Sequence, residues 1–265
     1  MHTESSESAT LTKRRRPVRR WVGAGFLAWA AFATFWITNS MRTRGVDPAL
    51  LRSDSVVSVV NGAATLEFLP VASNHQAGLV FLCGSGVSAQ AYAPLLRPIA
   101  EAGHAVFVVK LPWRFAPFAP HKRAAVDRAR ALLPAHPQIH RWVISGHSLG
   151  GALACRAVQA DPKTFSAMVL AGTTHPKQDD LSFLRIPVTK VYASKDGVAP
   201  ADRVLANRRL LPEHTRWVEI KGGNHSQCGH YGHQLRDGKA TISRAEQQAV
   251  TRSALLEALA APQNE

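Results

Sequence analysis

Apolar runs alternate with helical patterns along most of this chain, and the alternation restricts the fold more than any other feature. Runs such as Gly78–Cys83 and Ala105–Lys110 are almost wholly apolar, as expected for parallel strands that are covered on both faces. The helical patterns between them predict crossover connections, so we expect an α/β fold with a doubly wound, mainly parallel sheet. Strands are predicted over Ser55–Val60, Ala64–Leu69, Gly78–Cys83, Ala105–Lys110, Arg141–Ser145, Ala167–Ala171, Pro187–Ala193 and Thr215–Ile220. Helices are predicted over Gln90–Ala102, His121–Leu133, Ser148–Ala160, Pro200–Leu211 and Ser243–Ala260.

An Asn61-Gly62 pair separates the first two predicted strands. Asn-Gly is a strong signal for a tight hairpin turn, because both residues tolerate the positive φ that such a turn requires. We therefore expect these two strands to pair antiparallel at the start of the sheet.

The segment Trp21–Thr38 has no charged residue. As a helix it would be roughly 27 Å long, close to the hydrocarbon thickness of a bilayer. Lys and Arg concentrate between residues 13 and 20, whereas only Arg42 and Arg44 follow closely, so the positive-inside rule places the main part of the chain on the extracytoplasmic side. We expect a single-pass membrane protein with a disordered cytoplasmic tail (1–20), a transmembrane anchor in the lipid bilayer (21–38), a linker (39–54) and one α/β domain (55–262).

Two other interpretations of the apolar segment stay open. Ala31-Phe32-Ala33 offers an A-x-A cleavage site, which would make the segment a signal peptide. A buried helix of a soluble domain is the second alternative. The uninterrupted apolar character beyond Ala33 favours the anchor.

The formal net charge of the chain is +14, which favours anionic partners in general. We expect no nucleic-acid partner, because the sequence has no helix-turn-helix or zinc-finger spacing and no alternation of aromatic and basic residues. The three cysteines, Cys83, Cys155 and Cys228, form no C-x-x-C pair and do not indicate a redox compartment.

The sharpest chemical signal is the G-H-S-L-G sequence at 146–150, which stands between an apolar run and a helical pattern. A nucleophile of this kind occupies the apex of a strained strand-to-helix turn, where larger side chains two residues away would collide. The sequence therefore predicts Ser148 as a catalytic nucleophile. The N–H of Leu149, at the start of the helix, would face an oxyanion. A glycine-rich turn that merely connects strand and helix is the alternative.

A serine nucleophile needs a base, and the base needs an orienting acid. His225 follows the last predicted strand in a glycine-rich loop, at the sheet edge where catalytic groups of α/β folds gather. Asp196 follows the preceding strand and comes between Ser148 and His225 in the chain, as this fold requires. The alternatives are His230 or His233 as base and Asp179 or Asp180 as acid.

A second oxyanion donor is expected in the loop Cys83–Val87, after the third predicted strand. Small residues there let a backbone N–H approach the substrate oxygen, and the sequence favours the N–H of Ser85 or Gly86. A plain tight turn would have the same composition.

The motifs GHSLGG, SKDG and GGNH occur in the order and places that are typical of the α/β-hydrolase superfamily. Over roughly residues 55–262 the chain resembles that superfamily, and it looks most like the small bacterial branch without a cap, similar to dienelactone hydrolases and carboxylesterases. The resemblance implies hydrolysis of an ester or thioester through an acyl-enzyme, with Ser148, Asp196 and His225 as the triad. Many members have His-Gly in the oxyanion loop, whereas this chain has Cys83-Gly84, which leaves the second donor open.

The predicted function is therefore a serine hydrolase that acts on a small-molecule acyl substrate and needs no cofactor or metal. A membrane-tethered binding protein on the same fold is one alternative. Acyl transfer or peptide hydrolysis by the same triad is another, because the choice of acceptor depends on the shape of the pocket. No oligomeric state follows from the sequence.

Overall fold

The computed structural model of the protein describes residues 15–72 and 77–261, with side chains described from residue 19 onward. The chain divides between Asn39 and Ser40 into two compact units. The first unit is mainly one helix, and the second contains the sheet.

One eight-stranded sheet runs through the described part of the second unit, in the order β1-β2-β4-β3-β5-β6-β7-β8. The strand β2 pairs antiparallel with both of its neighbours, and all other neighbours in the sheet are parallel. The prediction of a doubly wound, mainly parallel sheet is confirmed. The strands are Val57–Asn61 (β1), Thr65–Pro70 (β2), Ala77–Leu82 (β3), Ala105–Val109 (β4), Arg141–His147 (β5), Ala167–Ala171 (β6), Val188–Ala193 (β7) and Arg216–Ile220 (β8).

The central strands are buried along their whole length, as the near-continuous apolar sequences predict. Every residue of β3, β4 and β6 is buried, whereas the edge strands β1 and β8 are partly exposed. The hairpin at Asn61-Gly62 is also confirmed, because Asn61 pairs with Leu66 in the antiparallel register of β1 and β2.

Helices cover both faces of this sheet, since α2 packs with α6 and α3 packs with α4. The helices are Arg15–Ser40 (α1), Ala93–Glu101 (α2), Ala119–Ala135 (α3), Leu149–Ala160 (α4), Ala201–Ala206 (α5) and Arg244–Ala260 (α6). The capping box of α6, between Ser243 and Glu246, fixes where that helix begins.

Two predicted helices are shorter than expected. The helix predicted from Gln90 begins as a 3₁₀ turn, and α2 starts only at Ala93, with Pro94 in its first turn. The helix predicted over Pro200–Leu211 ends at Ala206 and continues as a short 3₁₀ turn.

The helix α1 is longer than the predicted anchor. It begins at Arg15, so the expectation of disorder is wrong for residues 15–20, while residues 1–14 lie outside the described part. Arginine is a good helix former, and Pro17 falls in the first turn, where its missing N–H has no helical partner. Residues Arg19–Ser40 are long and apolar enough to cross a membrane, a property that signal sequences share.

Residues 40–54, most of the predicted linker, belong to the second unit and are mostly irregular, with two ordered features. Thr43 forms a β-bridge with Tyr231, and Pro48–Leu51 forms a 3₁₀ helix capped by the Asp47 side chain. The bridge joins residues far apart in the chain, so no local pattern reveals it, whereas the cap at Asp47 is local.

Arg97 in α2 holds the end of this segment. Its side chain is only 2% exposed and donates to the carbonyl oxygens of Leu50 and Arg52, at 3.2 and 2.8 Å. It also forms ion pairs with Asp54 and Glu101. The buried guanidinium of Arg97 thus connects residues 50–54 to helix α2.

We expect Arg97→Met to lower Tm by several degrees, because the carbonyls and carboxylates around it would lose their donor. Thermal unfolding measures the effect, with Arg130→Met as the matched control. Arg130 pairs with Asp161 at 3.6 Å on the surface, where an ion pair contributes little. Equal changes in Tm for both variants would contradict the role assigned to Arg97.

Candidate active site

Ser148 occupies a sharp turn between β5 and α4. Its φ of 55° and ψ of −118° are rare for a residue with a side chain. The Ser148 N–H donates to the Ala171 carbonyl oxygen (3.0 Å), and the Ser148 carbonyl oxygen accepts the N–H of Gly151 (3.1 Å). Neighbouring elements therefore hold the strained conformation, and the side chain remains partly exposed at the carboxyl edge of the sheet.

Two glycines make this turn possible. A Cβ at Gly150 would overlap the carbonyl oxygen of Leu82 in β3, and a Cβ at Gly146 would overlap the backbone of Gly150. Because the obstacles are backbone atoms, a rotamer change cannot relieve either clash. The spacing of the G-x-S-x-G motif thus follows from the close approach of α4 to β5 and β3.

Asp196 and His225 meet at the same edge of the sheet. The distance from His225 Nδ1 to Asp196 Oδ2 is 2.9 Å, and both side chains are 1% exposed. The other carboxylate oxygen of Asp196 accepts the N–H groups of Val198 (2.9 Å) and Ala199 (2.6 Å). An Asp196 carboxylate that accepts from Nδ1–H leaves Nε2 of His225 as the basic nitrogen.

The structure does not hydrogen-bond Ser148 to His225. Nε2 of His225 is buried and has no hydrogen-bond partner among the described residues. The ring of His147, next to Ser148 in the chain, lies 4.5 Å from the His225 ring between centroids. Catalytic hydrogen bonds are commonly long in a free enzyme and tighten when substrate binds. Two of the three predicted residues are therefore joined, and the third lies at the same edge.

The alternative acids and bases are placed elsewhere. Asp180 is exposed and accepts the N–H of Ser182 at 2.9 Å. His230 faces the carbonyl oxygen of Gly45, and His233 faces that of Asp237. The Asp196 carboxylate therefore contacts the ring of His225, and not that of His230 or His233.

Backbone hydrogen bonds in the loop Cys83–Val87 limit which N–H group could be the second oxyanion donor. The N–H of Gly86 donates to the Arg114 carbonyl oxygen (2.9 Å), and the N–H of Gly84 donates to Tyr92 Oη (2.9 Å). Gly86 is therefore already engaged, whereas no acceptor for the Ser85 N–H is found among the described residues. Leu149 is the first residue of α4, where N–H groups have no helical partner.

Asp237 is a residue that sequence reasoning missed. Its two oxygens accept the N–H groups of Gly197, His225 and Ser226 at 2.8 to 3.2 Å, together with the hydroxyl of Ser226 at 2.6 Å. One carboxylate thus joins the loop that carries His225 to the loop that carries Asp196. The sequence offered only an Asp-Gly pair in a polar loop, which is common in turns.

His147 and Tyr92 form a second set that the sequence did not reveal. Tyr92 Oη lies 3.0 Å from His147 Nδ1. Because Tyr92 Oη accepts from Gly84, its own proton is available to His147 Nδ1. Burial, and next the nearby charge of His225, hold the pKa of His147 well below its ordinary value. His147 is therefore a neutral packing and positioning group.

A loop rich in histidine, at 226–242, does not form a metal centre in the structure. Across residues 15–72 and 77–261, no group of three or more His, Cys, Asp or Glu side chains is arranged to hold a metal ion.

We expect Gly150→Ala to unfold or strongly destabilise the protein, because its Cβ would meet the backbone of Leu82. Gly62→Ala is the control, since a Cβ there has no neighbour closer than 3.8 Å. Soluble yield and chemical denaturation compare the two variants. A Gly150→Ala protein as stable as the control would refute the steric argument.

The low pKa of His147 predicts a pH-dependent stability. As pH falls below about 6.5, the unfolded chain protonates this histidine while the folded chain does not, so the free energy of unfolding falls. His147→Gln should reduce the loss of stability between about pH 7.5 and about pH 5.5, measured by urea unfolding. His140→Gln, on the surface, is the control, and an unchanged pH dependence in His147→Gln would contradict the prediction.

Comparisons with known proteins agree with this architecture. A sequence profile described as "Alpha/beta hydrolase family" matches residues 78–249. No curated protein sequence matches the chain significantly.

Solved structures share the fold at low sequence identity. A predicted CIB-like hydrolase from Thermoplasma acidophilum is 16% identical, with a TM-score of 0.56, over 75% of this chain and 96% of its own. TT1662 from Thermus thermophilus is 16% identical, with a TM-score of 0.57, over 78% of this chain and 99% of its own. Est1E from Butyrivibrio proteoclasticus is 11% identical, with a TM-score of 0.56, over 78% of this chain and 100% of its own. The profile match spans more than half of the chain, and with the strand order it shows that the chain belongs to the alpha/beta hydrolase family.

Proposed function

We propose that this protein is a serine hydrolase that cleaves a carboxylic ester or thioester through an acyl-enzyme on Ser148. The observation that carries the proposal is the buried 2.9 Å contact between Asp196 and His225, at the sheet edge where Ser148 occupies its strained turn. A hydroxyl at the apex of a turn, an imidazole with a free nitrogen and a buried carboxylate are the three groups that acyl transfer needs.

In the proposed reaction His225 Nε2 removes the proton of the Ser148 hydroxyl while Ser148 Oγ attacks the carbonyl carbon. The carbonyl oxygen becomes an oxyanion, which the N–H groups of Leu149 and Ser85 stabilise. His225 then gives the proton to the leaving alcohol or thiol, and the acyl group stays on Ser148. Water attacks this ester with His225 as base, which releases the acid and restores the serine.

Asp196 has two functions in this reaction. Its carboxylate fixes the tautomer with hydrogen on Nδ1, and it stabilises the imidazolium that forms when His225 takes the proton. Asp237 holds the backbone of His225 in place, which limits the range of ring positions. The proposed reaction requires His225 Nε2 and the Ser148 hydroxyl to form the hydrogen bond that the structure lacks.

We further propose that residues 21–38 anchor the enzyme in a membrane, with the second unit on the extracytoplasmic side. The length and composition of the segment support an anchor, and the charge difference between its two ends supports this orientation. Carbonate extraction of membranes that contain the full chain, with an N-terminal epitope, distinguishes an intact anchor from a cleaved signal.

We expect Ser148→Ala to lose at least about 1,000-fold in the hydrolysis of p-nitrophenyl butyrate and all labelling by a fluorophosphonate probe. Ser145→Ala is the control, because the Ser145 hydroxyl is buried three residues earlier and has no hydrogen-bond partner within residues 15–72 and 77–261. The control should keep wild-type turnover and labelling. Persistent labelling of Ser148→Ala would refute the nucleophile, and an unlabelled wild-type protein would indicate a binding protein instead.

A further inference from the structure

The most exposed large apolar side chains of the second unit lie on two loops at the sheet edge that carries Ser148. Among its described residues, Trp113 is 80% exposed, Leu235 is 72% exposed and Phe118 is 67% exposed. We call these three side chains the apolar rim. Trp113 and Phe118 follow β4, and Leu235 lies in the loop after β8. Both strands are parallel to β5, so their loops emerge at the carboxyl edge that carries Ser148.

The loop with the two aromatic side chains adjoins the oxyanion loop. The Arg114 carbonyl oxygen accepts the Gly86 N–H at 2.9 Å, and the Phe115 carbonyl oxygen accepts the hydroxyl of Ser85 at 3.0 Å. The rim therefore lies beside the proposed oxyanion site.

The same loop has an unusual backbone. Trp113, Arg114 and Ala116 have φ values of 53°, 65° and 45°, a region that costs energy for residues with a side chain. Surrounding contacts have to hold such a conformation, so the exposure of Trp113 is imposed by the fold. Burying the exposed indole of Trp113 in an apolar environment would lower the free energy, so this side chain favours an apolar partner.

The second unit begins at the same rim. The Met41 carbonyl oxygen accepts from Arg114 (2.8 Å), and its sulfur accepts from the Gln234 amide at 3.5 Å. Met41 thus contacts both the aromatic loop and the loop of Leu235. The apolar helix ends at Ser40, the residue before Met41, so the proposed anchor is covalently attached next to a residue that contacts both rim loops.

Charge at the rim is positive. Across 40–46, 110–118 and 229–240, the carboxylate present is Asp237, which already accepts several hydrogen bonds. Exposed cations in these segments include Arg42, Arg114, Arg236 and Lys239. Exposed apolar side chains beside Lys and Arg are typical of surfaces that lie at the interface of an anionic bilayer.

We propose that the rim edge of the second unit rests on the lipid bilayer and that the substrate is an acyl ester carried in that membrane. Trp113, Phe118 and Leu235 insert at the headgroup level, and the cations contact anionic lipid. The substrate then reaches Ser148 from the bilayer with little exposure of its acyl chain to water. The substrate class rests on the function proposed above, whereas the membrane contact does not.

The membrane contact is tested without any activity measurement. The full chain with Leu235→Cys is labelled with the fluorophore NBD and reconstituted in phosphatidylcholine–phosphatidylglycerol vesicles, with and without nitroxide-labelled lipid. The native cysteines are buried, so labelling is selective for the new thiol. The control is Phe183→Cys, which is exposed before β7 at the opposite edge of the sheet. We expect nitroxide lipid to quench NBD at 235 and not at 183, and equal quenching at both positions would overturn the proposal.

The substrate class is tested with two esters. A variant with Trp113→Ser, Phe118→Ser and Leu235→Ser should lose about tenfold or more of its activity on a long-chain fluorogenic ester within the vesicles. It should keep wild-type activity on soluble p-nitrophenyl butyrate, and Phe183→Ser should keep both activities. An equal loss on both esters, or no loss on either, would overturn the proposal. If the wild-type protein hydrolyses neither ester, the proposed hydrolase function fails, and the quenching experiment still decides the membrane contact.

Discussion

The close approach of α4 to the ends of β3 and β5 is the constraint on which the rest of the site depends. Gly146 and Gly150 permit it, because backbone atoms occupy the space that any larger side chain would need. With α4 in this position Ser148 adopts a positive φ, and the residue remains partly exposed. The strain is maintained by hydrogen bonds to β6 and within the first turn of α4, so it belongs to the whole sheet.

The parallel strands bring residues that are distant in the sequence to the same edge of the sheet. Asp196 and His225 are far apart from Ser148 along the chain, but each follows a parallel strand, so all three groups emerge at one edge. The carboxylate of Asp237 then fixes the backbone of the His225 loop against the loop of Asp196. A partly buried carboxylate is stable where N–H and O–H donors surround it, and the donors to Asp237 come from the loops that have to be aligned.

The strands and the strand-to-helix turn at Ser148 could be predicted because their signals are local. The apolar run at Ala167–Ala171 is observed as a strand with the predicted bounds, and the other strands begin and end within two residues of prediction. Features that depend on distant contacts could not be predicted. The Gly86 N–H is engaged by Arg114, Tyr92 contacts His147, and residues 40–54 pack on the second unit, all through partners far away in the chain. The expectation of disorder also failed at residues 15–20, because a helix that has already formed extends readily into adjoining good helix formers.

The bridge between Thr43 and Tyr231 has a consequence for any form of the protein that has lost α1. Residues 41–44 form a strap that lies against the polypeptide following His225, and Arg44 N–H donates to the His230 carbonyl oxygen at 2.9 Å. A proteolytic cut before Ser40 keeps this strap and the support it gives to the histidine loop. A cut after Arg44 removes it, so the shortened protein would keep its sheet while the loop that carries His225 loses a neighbour.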